Sequence, residues 1–254
     1  MQCMDLVPEA RKVFIRRMTL LAAALVKGPL GRRGLGMVAN LSERIARSEA
    51  EALTRMGWLA SKNRGLVITE LGREGFWACL DDATMWPEPP RSTDVVSPLE
   101  LMGDAASRLL CAMAVRQIAP LVVWQPVVAV SGGPLMATML RYWPAQPMPV
   151  LFVPLPGEDP ALPAVRVARD LARLTGGQYL ANADVLLAQA TMAICDVTTP
   201  GNKHRRQALE GIGQRLYLGM GEGTALSNYP PATRLFCDSP LAITLQNENQ
   251  GASR

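Results

Sequence analysis

The stretch LSERIARSEAEALTRMGWLASKNRGLVITELG, residues 41–72, decides the fold of the first part of the chain. Apolar residues recur at helical spacing from Ile45 to Met56, and Gly57 is placed to end that helix. Two short β-type runs, 58–61 and 66–69, follow it. The residues Lys62-Asn63-Arg64-Gly65 join them, and Asn and Gly tolerate the positive φ of a tight turn. A helix followed by a small basic hairpin predicts the second half of a winged helix-turn-helix.

The residues before this stretch supply the first half of the same unit. A helical apolar pattern starts near Arg11 and stops at Gly28-Pro29. Residues 32–38 are long enough for about two helical turns. Asn40-Leu41-Ser42 then offers a turn in which Ser42 caps the next helix. A short helix, a tight turn and a longer helix are the order of a helix-turn-helix motif.

Prolines mark the division of the chain into domains. Four of them fall in residues 86–98, and proline cannot continue a helix. We therefore predict a winged helix-turn-helix DNA-binding domain at 10–85 and an α/β domain at 95–245. In the second part a helical stretch, 99–118, precedes apolar runs that end in glycine and alternate with amphipathic segments. This alternation indicates a Rossmann-like α/β sheet covered by helices.

Charge is distributed unevenly between the two predicted domains. Residues 11–73 hold thirteen Lys and Arg against four Asp and Glu, a net charge of +9, whereas the whole chain carries only +4. A basic module joined to an acidic one favours DNA as a partner. The five cysteines are scattered without a Cys-x-x-Cys pair, and polar residues and prolines interrupt the longest apolar stretch. A cytoplasmic protein with reduced thiols and no membrane partner is expected.

The candidate DNA-binding residues lie around the second helix of the motif. Arginine at the exposed first turns of a helix can donate two hydrogen bonds to guanine in the major groove, so Arg44 and Arg47 are the candidate base readers. The candidate phosphate contacts are polar residues at the helix starts and in the hairpin: Arg32, Arg33, Ser42, Lys62, Asn63 and Arg64. The alternative for any single arginine is a surface ion pair with Glu43, Glu49 or Glu51.

A glycine-rich turn in the second domain is the candidate ligand site. Ser131, Gly132 and Gly133 follow an apolar strand, and such a turn can present backbone N–H groups to a phosphate. The alternative is that the glycines only form a tight strand-to-helix turn. No catalytic or metal-binding set is predicted, because the single histidine, His204, stands among three cations in the loop-like PGNKHRRQ. No resident cofactor is expected.

Several short motifs follow one another along both domains. The first domain contains GRR at 31–33, SER at 42–44 and T-E-x-G at 69–72, and the second contains VVAVSGG, LFVP, the GED at 157–159 and LYLGMGEG. Taken together and in order, these motifs resemble the central glycolytic genes regulator of the SorC group of sugar-responsive transcription factors. The resemblance implies a phosphosugar isomerase-like sensor domain whose effector would be fructose 1,6-bisphosphate or another phosphosugar. Further candidate ligand residues follow from it: Gly157, Gly219, Gly221 and Glu222.

The second domain also departs from that family. Pro134 and Leu135 stand where the family has a pair of threonines, and Leu155 and Pro156 replace a basic residue and a glycine. The chain ends soon after GMGEG, so the domain is expected to be truncated relative to the family. These departures remove expected phosphate contacts, because proline has no N–H group and leucine no hydroxyl.

The sequence therefore predicts a repressor-like, sequence-specific DNA-binding transcriptional regulator of sugar or glycolytic genes, acting as a homo-oligomer on a two-fold operator. Modulation by a phosphorylated sugar is one hypothesis for the α/β domain. A second is that this domain is a ligand-free oligomerisation module. A third, from another class, is a phosphosugar isomerase-like enzyme, for which the sequence offers no convincing acid and base pair.

Overall fold

A computed structural model describes residues 8–81, 95–96, 99, 101, 103–157, 162–180, 184–198, 201–220, 229–230 and 234–237. These residues fall into two compact units. The first unit contains residues 8–81 and 99–109, and the second contains 95–96 and the described residues from 110 onward. The sequence placed the division at 86–98, most of which lies outside the described residues, as do Gly221 and Glu222.

The first unit begins with the three predicted helices. They are α1 (Pro8–Lys27), α2 (Arg32–Val38) and α3 (Glu43–Arg55). The Asn40 backbone has φ +51, which turns the chain between α2 and α3. The Ser42 side chain then caps α3 as predicted. Gly57 adopts φ +75 directly after the end of α3, where a left-handed residue ends a helix without the strain a side chain would add.

The hairpin is formed by β1 (Leu59–Lys62) and β2 (Gly65–Ile68), which pair antiparallel. The predicted runs are therefore displaced by one residue: Lys62 pairs with Gly65, and the turn contains only Asn63 and Arg64. Leu30 pairs with Leu66 of β2 through an isolated β-bridge. The Leu30 N–H donates to the Leu66 carbonyl at 3.1 Å, and the Leu66 N–H donates to the Leu30 carbonyl at 2.8 Å. This bridge ties the hairpin to the segment that leads into α2.

A fourth helix, α4 (Glu70–Asp81), follows the hairpin. The Thr69 hydroxyl accepts a hydrogen bond from the Gly72 N–H at 3.0 Å and donates to the Gly57 carbonyl at 2.6 Å. It therefore caps α4 and ties this helix to the end of α3 at the same time. The core of the unit consists of fully buried side chains on all these elements: Leu20, Leu21, Leu35, Ala46, Leu53, Leu59 and Phe76.

A partly buried ion pair also joins α1 to α3. The Arg17 Nε lies 2.8 Å from a Glu49 carboxylate oxygen, and the Glu49 side chain is only 12% exposed. Glu49 is therefore an internal partner of α1, and it is directed away from the surface that carries Arg44 and Arg47.

The second unit is a parallel α/β sheet. Its strands are β3 (Val95–Val96), β4 (Val127–Val130), β5 (Leu151–Pro154), β6 (Gln178–Tyr179), β7 (Met192–Asp196), β8 (Gln214–Gly219) and β9 (Arg234–Cys237). Within the described residues the order is β3-β9-β8-β7-β4-β5-β6, and every pair is parallel. The chain runs outward from β4 to β6 and then resumes on the other side of β4 with β7. The adjacent carboxyl ends of β4 and β7 are thus a topological switch point, where open α/β sheets bind ligands.

The helices between these strands are α5 (Asp104–Val122), of which residues from 110 onward belong to this unit, α6 (Pro134–Met139), α7 (Ala164–Thr175), α8 (Asp184–Leu187) and α9 (Lys203–Glu210). All side chains of β4 and β7 are buried, as expected for central strands of a sheet covered on both faces. Helix α5 is long and apolar enough to cross a membrane by length and composition. Its residues Leu110, Ala114 and Ile118 are fully buried in the core beside the sheet, which accounts for that apolar character.

Three details of the second domain differ from the sequence-based expectation. The helix predicted at 99–118 begins at Asp104 and runs through Pro120 to Val122. The PGNKHRRQ segment is not a loop from Lys203 onward, because α9 starts there behind an Asn202 cap and exposes His204 in its first turn. Strand β7, which lies beside β4, is not among the predicted strands.

Gly65 offers a test of the bridge between hairpin and α2. It has φ +128, and a Cβ there would lie 2.5 Å from the Leu30 carbonyl carbon. We expect Gly65→Ala to lower the free energy of unfolding by at least about 1–3 kcal/mol, measured by urea denaturation. The matched control is Gly34→Ala in α2, where a Cβ meets only Leu30 side-chain carbons, 3.4 Å away at the nearest. Gly34→Ala should leave the free energy of unfolding unchanged or raise it by up to about 1 kcal/mol. Equal losses in both variants would contradict the assigned role of Gly65.

Candidate DNA interface and candidate ligand site

The exposed face of α3 is set by the face that it buries. Ala46, Ala50 and Leu53 pack into the core of the first unit, and residues about half a turn away point to solvent. Arg44 lies opposite the centre of the buried face, and Arg47 lies one turn further along on its flank. Both side chains are exposed. The structure thus places both predicted base readers on the outward side of the first two turns of α3.

The two arginines differ in their partners. An Arg47 guanidinium nitrogen lies 3.4 Å from a Glu43 carboxylate oxygen one turn earlier, and both side chains are more than half exposed. Such an exposed pair contributes little and can be exchanged for a DNA contact. No ion pair or hydrogen bond engages the Arg44 side chain in the described part of the chain. Arg44 is therefore directly available to a base edge.

Ser42 has a structural role in the free protein. Its hydroxyl oxygen accepts a hydrogen bond from the Ile45 N–H, although the distance of 3.5 Å makes this a long contact. The residue is exposed at the positive end of the α3 dipole. A phosphate oxygen placed there would meet the N-terminal N–H groups of α3, and the hydroxyl can turn towards it.

The remaining predicted phosphate contacts lie at two places on the same unit. Arg32 and Arg33 form the first turn of α2, which has no side-chain cap at Gly31. Lys62, Asn63 and Arg64 form the tip of the hairpin. All five side chains are exposed, as phosphate contacts on a flanking backbone require.

The candidate ligand turn lies between β4 and α6. Ser131, Gly132 and Gly133 are buried, and backbone hydrogen bonds join the turn to other segments of the same chain. The Ser131 N–H donates to the Ile194 carbonyl at 3.0 Å, and the Gly133 N–H donates to the Leu162 carbonyl at 2.9 Å. The next residue, Pro134, has no N–H group. These N–H groups are thus already used within the protein.

The carboxylate of Asp196, at the end of β7, lies beside this turn and contacts the next N–H group along the chain, that of Leu135. It is fully buried, and one of its oxygens accepts a hydrogen bond from the Leu135 N–H at 2.7 Å. The other oxygen accepts from the N–H and the hydroxyl of Thr198. The Asp196 N–H in turn donates to the Ser131 hydroxyl at 2.8 Å. The first N–H group of α6 therefore donates its hydrogen bond to a carboxylate of the protein itself.

Gly133 is required by this arrangement. Its φ is +110, and a Cβ would lie 2.5 Å from the nearer Asp196 carboxylate oxygen. The glycine therefore admits the Asp196 carboxylate to the turn. This geometry explains Gly133 without a bound phosphate, which was the alternative interpretation of the two glycines.

Cys111 on α5 borders the same turn. Burial, with a smaller contribution from the negative charge of Asp196, raises the pKa of the Cys111 thiol to about 12. The thiol is therefore protonated at neutral pH and donates to the Leu135 carbonyl at 3.4 Å. A protonated, fully buried thiol is neither a nucleophile nor a metal ligand.

Arg205 of α9 is the other buried charged group at this edge of the sheet. Its side chain is only 2% exposed, and its Nε donates to the Pro156 carbonyl at 3.1 Å. A Cβ at Gly157, with φ +129, would lie 2.6 Å from the Arg205 guanidinium. The Tyr229 hydroxyl lies 3.4 Å from the same guanidinium. Gly157 thus provides room for an internal arginine in this structure.

The other predicted ligand residues are only partly described. Gly219 is buried at the end of β8, and Gly221 and Glu222 lie outside the described residues. No set of three or more His, Cys, Asp and Glu residues within the described part of the chain is placed to hold a metal ion. The effector residues Ser131, Gly132, Gly133, Gly157, Gly219, Gly221 and Glu222 therefore remain predictions.

Sequence reasoning missed Asp196 and Arg205. The MAICD run, 192–196, is five residues of buried strand that end in an acidic side chain, and an acidic residue at the carboxyl end of an apolar run is a visible signal. Nothing local indicated that β7 pairs with β4. That pairing alone brings the Asp196 carboxylate to the turn after Val130.

Comparison with protein families gives one match. Residues 13–79 match the family described as the CggR N-terminal DNA binding domain. The match covers α1 to α3, the hairpin and most of α4. It confirms the DNA-binding domain and the resemblance that the sequence motifs predicted for this part of the chain. Residues 13–79 thus form a DNA-binding domain. No curated protein matches the chain.

Three regulators are among the solved structures that are similar to this chain. The full-length sorbitol operon regulator SorC from Klebsiella pneumoniae is 10% identical, with 91% of this chain and 98% of that chain covered and a TM-score of 0.49. A DeoR family transcriptional regulator from Listeria monocytogenes is 12% identical, with 58% and 90% covered and a TM-score of 0.46. A transcriptional regulator from Streptococcus pneumoniae is 12% identical, with 61% and 90% covered and a TM-score of 0.46.

Asp196→Ala should destabilise the second unit. The buried N–H group of Leu135 and the part-buried N–H group of Thr198 would lose their acceptor, and the loss at a buried donor costs about 1–3 kcal/mol. We expect the free energy of unfolding to fall by about 2–4 kcal/mol in urea denaturation. Asp170→Ala on α7 is the matched control, because that carboxylate is partly exposed and forms only two long ion pairs of 3.8 Å. It should change stability by less than about 0.5 kcal/mol, and an Asp196→Ala protein as stable as this control would contradict the structural role of Asp196.

Proposed function

We propose that this chain, whose residues 13–79 form a CggR-type N-terminal DNA-binding domain, is a sequence-specific regulator that binds an operator as a homo-oligomer in the cytoplasm. The observation that carries the proposal is the exposed face of α3, on which Arg44 stands unpaired at the helix start within the described residues. Clusters of exposed cations at α2 and at the hairpin accompany it. A basic domain with this arrangement has the electrostatic footprint of a DNA binder.

In the proposed complex the first turns of α3 enter the major groove. Arg44 and Arg47 read guanine bases by paired hydrogen bonds, and the short Ser48 side chain, one turn after Arg44 on the outward face, lets the helix approach the base edges. Arg32, Arg33, Lys62, Asn63 and Arg64 contact phosphates on either side and fix the orientation of the helix. The phosphate contacts supply affinity without sequence preference, and the α3 contacts supply the preference.

The homo-oligomer follows from the size of one head. A single small DNA-binding module buries only about 600–1,000 Å² of protein surface, less than most specific complexes bury. Two heads on a two-fold operator double the number of base contacts. We propose that the α/β unit associates with its counterpart in a second copy and thereby sets the spacing of the two heads.

Arg44→Ala and Lys62→Ala should weaken DNA binding in different ways. The first removes a base contact, so preference at one guanine should fall by roughly tenfold or more. The second removes a phosphate contact, so all sequences should be weakened similarly and the slope of log K against log salt should fall by about one. The measurement is a fluorescence anisotropy titration at several salt concentrations, using the DNA upstream of the protein's own gene and a scrambled duplex.

Arg73→Ala provides the control for charge. Arg73 lies on α4, where it pairs with Glu70 at 3.6 Å, and its loss removes the same charge outside α2, α3 and the hairpin. DNA affinity should change little in this variant. If Arg44→Ala binds its operator as tightly and as selectively as the wild type, the assignment of α3 as the reading helix is wrong.

A ligand-free α/β unit is the second part of the proposal, and Asp196 favours it over a phosphosugar sensor. A sugar phosphate at the β4–α6 turn would face the Asp196 carboxylate at close range. Two negative groups that share one turn repel each other strongly in a buried site. We therefore propose that the unit acts as an oligomerisation module without a phosphosugar at this turn.

Fructose 1,6-bisphosphate separates these two candidates. We expect millimolar concentrations to leave the operator Kd unchanged once ionic strength is matched with sodium sulfate. The matched salt is essential, because divalent anions alone weaken protein–DNA binding by screening. If the bisphosphate weakens operator binding beyond the sulfate control, the α/β unit is an effector sensor and the ligand-free proposal fails.

A further inference from the structure

Glu51 is an anomaly on the exposed face of α3. It follows Arg44 by seven residues, about two helical turns, so both residues point to the same side of the helix. Ser48 and Arg55 continue this outward row, which opposes the buried Ala46 and Leu53. Glu51 is thus the one carboxylate in a row of polar and cationic side chains. If α3 lies in the major groove, Glu51 faces DNA.

The Glu51 carboxylate is exposed and uncommitted in the free protein. No hydrogen bond or ion pair joins it to another residue in the described part of the chain, although Arg47 and Arg55 lie one turn away on either side. Arg47 instead pairs with Glu43, and Glu49 pairs with Arg17. Of the three glutamates on α3, Glu51 alone is therefore directed outward without a partner within the described residues.

Glu51 also borders a groove beside the hairpin. The groove has a volume of about 510 Å³, and its lining includes Arg32 at the start of α2, Arg55 on α3 and Ser61 on β1. The cations on its rim suit a DNA backbone, whereas the Glu51 carboxylate does not. A carboxylate that faces a polyanion costs free energy unless a donor of the DNA meets it.

The major groove offers such donors only on base edges. The exocyclic N4 amino group of cytosine donates to Glu or Asp, and the adenine edge presents a donor beside an acceptor that suits Gln or Asn. We propose that Glu51 is a specificity-determining residue that accepts a hydrogen bond from a cytosine N4 amino group in the operator. This inference rests on the proposed function of α3 as the reading helix.

The spacing on α3 places this contact relative to that of Arg44. Seven residues correspond to about 10 Å along the helix axis, and because a recognition helix is inclined to the DNA axis this spans about two to three base pairs. The preferred operator half-site should therefore contain a guanine read by Arg44 and, about two to three base pairs away, a cytosine read by Glu51. Arginine and glutamate would together specify two different bases with one helix.

The test is selection of preferred duplexes from a randomised DNA pool by the full-length protein, its Glu51→Gln and Glu51→Ala variants, and a charge control. The control is Glu74→Gln, which changes the charge equally at an exposed position of α4. Wild type should enrich cytosine at one position by roughly tenfold or more. Glu51→Gln should shift that position from cytosine to adenine and keep the guanine assigned to Arg44. Glu51→Ala should lose preference at that position, and Glu74→Gln should select the wild-type sequence.

Two results would overturn the inference and are distinguishable. If Glu51→Gln selects the wild-type sequence and binds all duplexes more tightly, Glu51 acts only by repelling DNA and reads no base. If wild type enriches no sequence at all, the proposed sequence-specific function fails, and the Glu51 assignment fails with it. Urea denaturation of each variant, compared with wild type, establishes that an altered preference does not arise from unfolding.

Discussion

The buried face of α3 is the constraint on which the rest of the first unit depends. Ala46 and Ala50 are small, so the helix packs closely in the core of the unit, and Leu53 continues the same face. Because a helix has one rotational setting once that face is buried, the outward row of Arg44, Ser48, Glu51 and Arg55 is fixed as well. The side chains that we propose contact DNA are thus positioned by residues that lie in the core.

The two ends of the hairpin have different roles. Its tip residues, Lys62, Asn63 and Arg64, are exposed and free to contact a phosphate backbone. Its other end is tied to the α1–α2 connection by two backbone hydrogen bonds between Leu30 and Leu66. Since Leu30 directly precedes the α2 start, the bridge also places Arg32 and Arg33 relative to the hairpin. Two clusters of cations are therefore set at a defined distance by one pair of backbone bonds.

The first unit could be predicted from the sequence almost residue by residue. Its signals are local: Gly28-Pro29 ends a helix, Ser42 starts one and Gly57 ends it. The hairpin differs from the prediction by one residue at each strand because Lys62 and Gly65 pair with each other and leave a two-residue turn. Arg44 and Arg47 could be nominated for the same local reason, since their position on α3 follows from helical spacing.

Only the fold class of the second unit could be predicted from the sequence. Strand β7 was not predicted because no glycine follows it, and a terminal glycine was the feature used to recognise the other strands. Helix α9 shows little apolar pattern, because only Arg205 and Leu209 of its eight residues are buried. The position of Asp196 at the turn depends on the pairing of β4 with β7 across more than sixty residues, which no local pattern contains. Contacts between residues this far apart along the chain cannot be inferred from a single sequence.

Asp196 also changes the physical interpretation of the glycine-rich turn. A phosphate cradle must leave N–H groups unpaired in the free protein, at a cost, so that a ligand can gain them. In this chain the N–H groups of Ser131, Gly133 and Leu135 are all bonded to the protein. A ligand phosphate that approached the Leu135 N–H would have to displace a buried carboxylate that three donors and an adjacent strand hold in place. The same glycines that allow a phosphate to approach in one protein can thus allow a side chain to replace it in another, and the sequence of the turn alone does not distinguish the two.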